Sequence, residues 1–448
     1  MGPSTSPPED PAEISFAEGQ QEAERSIKKL CTRLLPGWSE LKEEDMQMSK
    51  ISGGISNLLV KVEPPAPLQP VAVKVFGEVF GDKTELLIDR EAEKHTLLRL
   101  NAVGFGAPVV GLFGNGRIEA FLPCKTLTPE EMADPGFVPH IAARLRAFHD
   151  LPGMDAADAT TSAPASAPAS APTPAAAEAA AAGPGPQPHV PSPQSSQWDA
   201  IFGWLDMAEQ LSFEHDPAKQ AAFDKVDFKA MRAELTLLRA LCGRVASPRV
   251  FCHNDLLSGN ILVIAPSTTG PAAEAPEPST SAGAATSGVA GGATADVLGG
   301  GQLQFIDFEY SCAGPRGFDL GNHFNEYAGF DCDYTRFPTL EQQAAFFRHY
   351  LKPGELQALA AAARARRPAE LGGAAPQAAA EAAALEGLAA EACIYALASH
   401  AYWGVWSFIQ ARYSPIDFDY LDYSALRWAE YHRRRAEFVA LVDKHYPA

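Results

Sequence analysis

Two stretches decide the reading of this 448-residue chain: Cys252-His253-Asn254-Asp255-Leu256-Leu257-Ser258-Gly259-Asn260, and, further on, Gln304-Phe305-Ile306-Asp307-Phe308-Glu309. In the first, a carboxylate and an amide stand five residues apart in a short loop that runs into an apolar segment. In the second, a carboxylate closes an apolar run. Phosphoryl transfer asks little covalent chemistry of a protein. It needs a carboxylate to orient the attacking hydroxyl and take its proton, and hard oxygen ligands for Mg²⁺. Asp255 as base, with Asn260 and Asp307 as metal ligands, match the catalytic and metal loops of kinases. Each element alone is weak, since His-x-Asp in a loop is commonly a turn. In this order, each beside a predicted strand, the two reinforce one another. His253 reads as structural, because the mechanism gives it no proton to move.

Upstream, Ser52-Gly53-Gly54-Ile55-Ser56-Asn57 precedes a predicted strand, Leu58-Leu59-Val60-Lys61-Val62. Backbone N–H groups of Gly53, Gly54, Ser56 and Asn57 can approach phosphate oxygens there; a plain turn has the same look. Lys74 sits inside Val71-Ala72-Val73-Lys74-Val75-Phe76, a second predicted strand. A charge among valines needs a partner. One reading has Lys74 on the nucleotide phosphates and paired with Glu93, or with Glu91, on a helix predicted over 91–100. The other makes it an edge-strand lysine facing water. No Walker A motif occurs, so a P-loop enzyme is excluded.

Outward from these anchors the chain divides. Four prolines in 63–70 make a hairpin connection between the first two strands, and 117–121 is a further strand. Helices are predicted over 138–149, 204–211 and 228–241. Strands over 259–264 and 303–307 pair as a hairpin with a very long tip. Three low-complexity stretches, 157–196, 265–300 and 351–386, read as insertions, the last partly helical; the first two lack large apolar residues. A disordered tail over 1–25, a nucleotide-binding lobe over 26–122 and a helical lobe over 123–448 follow. The fold class is α+β: two-lobed, small β-rich half first, protein-kinase-like.

Bulk properties bound the function. A formal charge of −19 disfavours nucleic acid and anionic membranes and suits a cationic substrate. Seven scattered cysteines without a Cys-x-x-Cys pair predict no disulfide framework and a reducing, cytoplasmic setting. The N-terminal residues lack the apolar core of a signal peptide. An apolar run over 390–410 nears membrane-spanning length but carries Glu391 and His400, which predicts a buried helix instead of an integral membrane span.

Near the C-terminus, Trp403 and Trp406 stand at i and i+3, and Tyr420 and Tyr423 repeat that spacing. Such aromatics either pack in a core or present faces to a cation. Tyr310 follows the metal segment, and Glu326 follows Gly317-Phe318-Asp319-Leu320-Gly321-Asn322-His323-Phe324-Asn325.

These segments resemble the choline/ethanolamine kinase family over 51–151, 250–264, 304–338 and 391–432. The resemblance rests on His-Asn-Asp-x-x-x-x-Asn at 253–260 and Ile-Asp-Phe-Glu-Tyr at 306–310. It implies ATP and Mg²⁺ as cofactors, Asp255 as base, and Asn260 and Asp307 on the metal. Adenine would lie near Phe121-Leu122-Pro123, with Leu122 against it. An amino-alcohol pocket would comprise Tyr310, Glu326, Trp403, Trp406, Tyr420 and Tyr423. Leu256-Leu257, Asn325, Asp331 and the stretch over 81–90 lean toward the ethanolamine branch. The implied reaction makes phosphoethanolamine and ADP, the first step of phosphatidylethanolamine synthesis. Choline is the alternative acceptor, and an aminoglycoside-phosphotransferase-like kinase stands behind it. A homodimer is left open. No Ala-Pro-Glu follows Asp307, which argues against a protein kinase, and intact Lys74, Asp255, Asn260 and Asp307 argue against a pseudokinase.

Overall fold

Val71, Val73 and Val75 alternate with Ala72 and Lys74, the period of a strand with two different faces. The computed structural model describes residues 6–51, 58–76, 90–154, 197–266, 297–373, 376–414 and 416–447. It places this segment in the interior of a six-stranded sheet. The strands are β1 (Glu9–Asp10), β2 (Gln47–Lys50), β3 (Leu58–Glu63), β4 (Val71–Val75), β5 (Val109–Phe113) and β6 (Gly116–Ala120), in the spatial order β1-β5-β6-β4-β3-β2. One face is apolar: Val60, Val62, Val71, Val73, Val75 and Ile118 pack against Ile27, Leu30 and Leu34 of helix α1 (Gln20–Leu34). The other face carries Lys74, which lies directly across from Arg117 in the β4–β6 register. The edge-strand reading of Lys74 therefore falls, and the residue is 9% exposed. Helix α2 (Arg90–Ala102) supplies Glu93 to that side.

Beyond Ala120 the chain turns helical. Helices α3 (Val138–His149), α4 (Gln197–Ala208), α5 (Pro217–Phe223) and α6 (Phe228–Arg244) lead to β8 (Arg249–Cys252). The short β7 (Cys124–Thr126) joins the predicted hairpin, β9 (Ile261–Ile264) with β10 (Gln302–Phe305), in a three-stranded sheet. β8 pairs with β11 (Cys312–Pro315), which runs into α7 (Arg316–Asn325). Helices α8 (Leu340–Tyr350) and α9 (Glu355–Arg366) precede the long α10 (Gln377–Tyr413) and the last helix, α11 (Tyr420–His445). The most apolar window of α10 is 89% buried inside this fold. Its Glu391 is held by Arg316 at 2.6 Å and by the Ser247 hydroxyl at 2.7 Å, so the charge in the apolar run has partners.

Two expectations fail here. Residues 6–25 are not a loose tail: β1 pairs in parallel with Leu112 and Phe113, and Ile14 is buried with both backbone groups bonded to the Asn115 amide. The cause is the apolar spacing of Ala23, Ile27, Leu30 and Leu34, a helix stripe that needs a surface to cover. Nor is 351–386 an insertion of low order. Alanine is the best helix former, and Ala360, Ala380 and Ala384 bring α9 and α10 together as a small buried cluster. Of the second low-complexity stretch, residues 297–300 form a turn with Val297 and Leu298 packed on the large core. Its remainder from 267, the whole of 157–196, and the loop residues Gly53, Gly54, Ser56 and Asn57 lie outside the described residues, as does 81–89.

Helix α7 crosses α10 so closely that a Cβ on Gly321 would sit 2.4 Å from the Ala392 carbonyl and 2.5 Å from the Ala396 nitrogen. Backbone cannot yield as a side chain does. Gly321→Ala is expected to cost about 1–3 kcal/mol through overpacking, seen as a lower thermal midpoint. An unchanged midpoint would mean that the two helices sit farther apart.

Candidate active site

The catalytic segment starts where β8 ends. His253 and Asn254 donate their backbone N–H groups to Asp319 of α7, at 2.7 and 2.8 Å. Asp319 is fully buried and also bonds His149 Nε2 at 2.9 Å. Burial alone would raise its carboxyl, but these bonds and the two imidazoles hold it below the usual range. Asn254 adopts φ 66°, the left-handed region that asparagine tolerates best after glycine. Several bonds over-determine that conformation. Besides the Asp319 contact, its amide donates to the Tyr310 carbonyl (2.7 Å), Gln197 donates to its side-chain oxygen (2.8 Å), and Asn322 donates to its carbonyl (3.0 Å). His253 Nε2 bonds the Ile306 carbonyl at 2.9 Å, tying the catalytic loop to the metal loop, and burial holds its pKa down.

Asp255, half-buried, follows this clamp. Asn260 Nδ2 donates to its carbonyl (2.8 Å) and to its carboxylate (3.0 Å), which leaves the Asn260 side-chain oxygen as the end that can meet a cation. Burial first, then Glu326, Asp307 and Glu309, push the Asp255 carboxyl well above its ordinary range. Asp307 also has a left-handed backbone, φ 64°, and its Oδ1 accepts from Lys74 Nζ at 2.7 Å. Burial opposes ionisation of Asp307, but Lys74 outweighs it and the carboxyl stays low. Among the described residues no three His, Cys, Asp or Glu side chains form a ready metal cage. Mg²⁺ keeps several waters and shares phosphate oxygens, so one carboxylate and one amide oxygen, Asp307 and Asn260, are a fitting hard-oxygen set for it.

The expected Lys74–Glu93 pair is not formed. Glu93 is bonded by Arg117 and by Arg90, each at 2.7 Å. Burial would raise its carboxyl, yet Arg117, Arg90 and Lys74 bring it down to about 2. The reason is register. Arg117 stands opposite Lys74 on the same face and its longer side chain reaches α2, so Lys74 turns to Asp307. Glu91 is exposed. Arg90 also bonds Glu309 at 3.2 Å, which links α2 to the metal loop. At the junction of the lobes, Leu122 is half-buried, and Lys61 lies over the neighbouring Phe121 ring at 4.7 Å.

At the far end, Tyr310 meets Trp403 edge to face at 5.2 Å between ring centres, and Trp403 meets Trp406 at 5.3 Å. The Trp406 indole donates to the Tyr310 hydroxyl at 3.0 Å, and the Trp403 indole to Asn322 at 2.8 Å. Glu326 pairs with Arg427 at 3.3 Å, and Arg427 also donates to the Tyr423 hydroxyl at 3.2 Å. Tyr420 stands apart: it is buried with Phe213, Phe223 and Phe408, bonds Ser414, and backs Trp406 at 5.8 Å. Asp331 is exposed, and Asn325 faces α10, bonding the Ala396 carbonyl and Ser399. Leu256 is core, its carbonyl bonded to His323. Sequence reading assigned no role to Arg117, Arg427, Asp319, His149, Asn322 or Gln197. Only Arg117 left a signal, a cation inside a short predicted strand.

A base-bearing loop, a metal loop and a strand lysine between a sheet lobe and a helical lobe define a phosphotransferase of the protein-kinase-like fold. A profile of the choline/ethanolamine kinase family matches residues 48–432, and the chain belongs to that family, whose members are ATP-dependent kinases. It is similar to a probable ethanolamine kinase of Arabidopsis thaliana, 33% identical over 424 residues, 94% of this chain and 88% of the relative. It is also similar to a human choline/ethanolamine kinase, 27% identical over 444 residues, 94% and 88% of the two chains. Among solved structures, an ethanolamine kinase of Plasmodium vivax superposes with a TM-score of 0.61 at 25% identity, covering 92% of this chain and 90% of that one. A choline kinase of Cryptosporidium parvum shares the fold at a TM-score of 0.57 and 17% identity, over 93% and 96% of the chains.

Proposed function

We propose that this protein is an ethanolamine kinase, transferring the γ-phosphate of MgATP to the ethanolamine hydroxyl. The observation that carries the reading is that two groups converge on Asp255: Glu326 with Tyr423, and Tyr310 with Trp403. A carboxylate acceptor and aromatic faces await a cationic nitrogen at one end, and a base awaits the hydroxyl at the other. Asp255 takes the hydroxyl proton, Asn260 and Asp307 would hold Mg²⁺, and Lys74 aligns the phosphates. When bound, Mg²⁺ would neutralise phosphate charge. The names of the similar Arabidopsis and Plasmodium proteins support ethanolamine as the acceptor. A cytoplasmic setting accords with seven free cysteines, most of them buried.

Acceptor preference follows from donors. An ammonium donates hydrogen bonds; a trimethylammonium does not, and would offer no donor to Glu326 Oε2, the oxygen that Arg427 does not bond. ADP release with ethanolamine, with choline and with no acceptor is expected to rank in that order of kcat/KM. Glu326→Gln is expected to lower kcat/KM for ethanolamine about 10- to 100-fold, the loss of one charge-assisted bond, and to affect choline less. Preferential phosphocholine formation in a competition assay would move the protein to the choline branch.

A further inference from the structure

Arg427 is a cation only 2% exposed, set against a pocket read as taking a cation. It lies four residues after Tyr423 on α11, hence on the same helix face. Nη1 donates to Glu326 Oε1 (3.3 Å) and to the Tyr423 hydroxyl (3.2 Å); Nη2 donates to the Ser399 carbonyl (3.3 Å) and hydroxyl (3.0 Å). The Ser399 hydroxyl in turn donates to Asn322 Oδ1 at 2.7 Å, the atom that also accepts from Trp403. One guanidinium thus touches two pocket groups directly and reaches a third through two polar side chains. Burial pushes the Glu326 carboxyl up and Arg427 pulls it only part of the way back, so it stays above its ordinary range, while Asp255, Tyr423, Tyr334 and Cys332 face the pair. Behind it, His400 is kept neutral by burial and by the neighbouring arginines, so it adds no competing charge.

Resting on the amino-alcohol reading of this site, the geometry points to Arg427 as the positioning residue for acceptor binding. Its planar fork fixes Glu326 and the Tyr423 ring relative to each other, bonding Glu326 through Oε1 and lying over the Tyr423 ring at 5.7 Å, which leaves Glu326 Oε2 for the acceptor nitrogen. The same contact offsets the charge of Glu326. The pocket then holds its ligand by directed bonds and ring faces instead of by bulk negative potential, which favours one small cation over polyamines and metal ions. Arg427 acts through these groups and has no part in phosphate handling.

Arg427→Met, Glu326→Gln and the double variant would be compared with the wild type, using both ethanolamine and choline. For Arg427→Met, KM for the preferred alcohol is expected to rise about 10- to 100-fold, with kcat within about fivefold and KM for ATP within about twofold of wild type. The double variant should be little worse than Glu326→Gln alone, since one acts through the other. An unchanged acceptor KM overturns the inference. So do effects that multiply in full with those of Glu326→Gln, or an equal rise in KM for ATP. If Arg427→Met does not fold, Arg427→Lys replaces it: one ammonium cannot bridge Glu326 and Ser399 as the fork does, so an unchanged acceptor KM there is equally fatal. A wild type that prefers choline would sink the ethanolamine reading alone, and Arg427 would be judged on the choline KM.

Discussion

Replacing Asp255 by alanine is expected to lower kcat by about 10²- to 10⁴-fold, the range lost with a positioned general base, while nucleotide affinity stays near wild type. The fold should tolerate the change, because Asn260 keeps its bond to the residue 255 carbonyl and the Asp319 clamp acts on the two preceding N–H groups. The carboxyl is pushed up by burial and by Glu326, Asp307 and Glu309. Asp255→Asn, which keeps the shape and the loop contacts, should fall nearly as far. Steady-state kinetics and ADP binding on the two variants decide the matter: turnover near wild type in either would remove Asp255 from the mechanism.

What the sequence revealed and what it hid divide by distance along the chain. Asp255 with Asn260, and Asp307 beside a strand, are local patterns, and their meaning survives without knowledge of the fold. Lys74 was legible as a charge among valines, but its partner was not. The partner depends on the register that sets Arg117 across from it, and a one-residue slip would send Arg117 to the other face. The clamp on the catalytic loop was hidden for a similar reason. Asp319, His149, Asn322 and Gln197 come from three helices far apart in the chain and meet around the catalytic loop only in the folded protein. The Ala-rich stretch at 351–386 misled because composition alone does not separate a tightly packed alanine helix from a low-complexity loop; only the facing alanines of α9 and α10 do. The aromatic pairs at 403/406 and 420/423 carried equal weight as sequence, yet the fold separates them. Trp403 and Tyr423 face the site with Tyr310 and Arg427, whereas Tyr420 joins a phenylalanine cluster.

Asp307→Asn is expected to lower kcat about 10²- to 10³-fold, the loss typical of one group stabilising transition-state charge, and to raise the Mg²⁺ concentration needed for half-maximal rate. Asparagine suits the left-handed backbone at this position, so the loop should keep its shape. What disappears is a negative charge that does two jobs. It would offer the metal its charged protein ligand, and it anchors Lys74, whose ammonium is buried 2.7 Å away. Burial works against the Lys74 charge, and Asp307 is the largest of the groups that sustain it, ahead of Glu309 and Glu93. With the carboxylate gone, Lys74 loses its hydrogen-bonded anchor and keeps only the attraction of Glu309 and Glu93. Added Mg²⁺ should therefore restore metal occupancy without restoring the rate. Asn260→Ala, which leaves Asp307 and Lys74 paired, should be rescued in part by the same addition. A Mg²⁺ titration of the rate for both variants separates the two roles, and a wild-type Mg²⁺ dependence in both would show that the metal sits elsewhere.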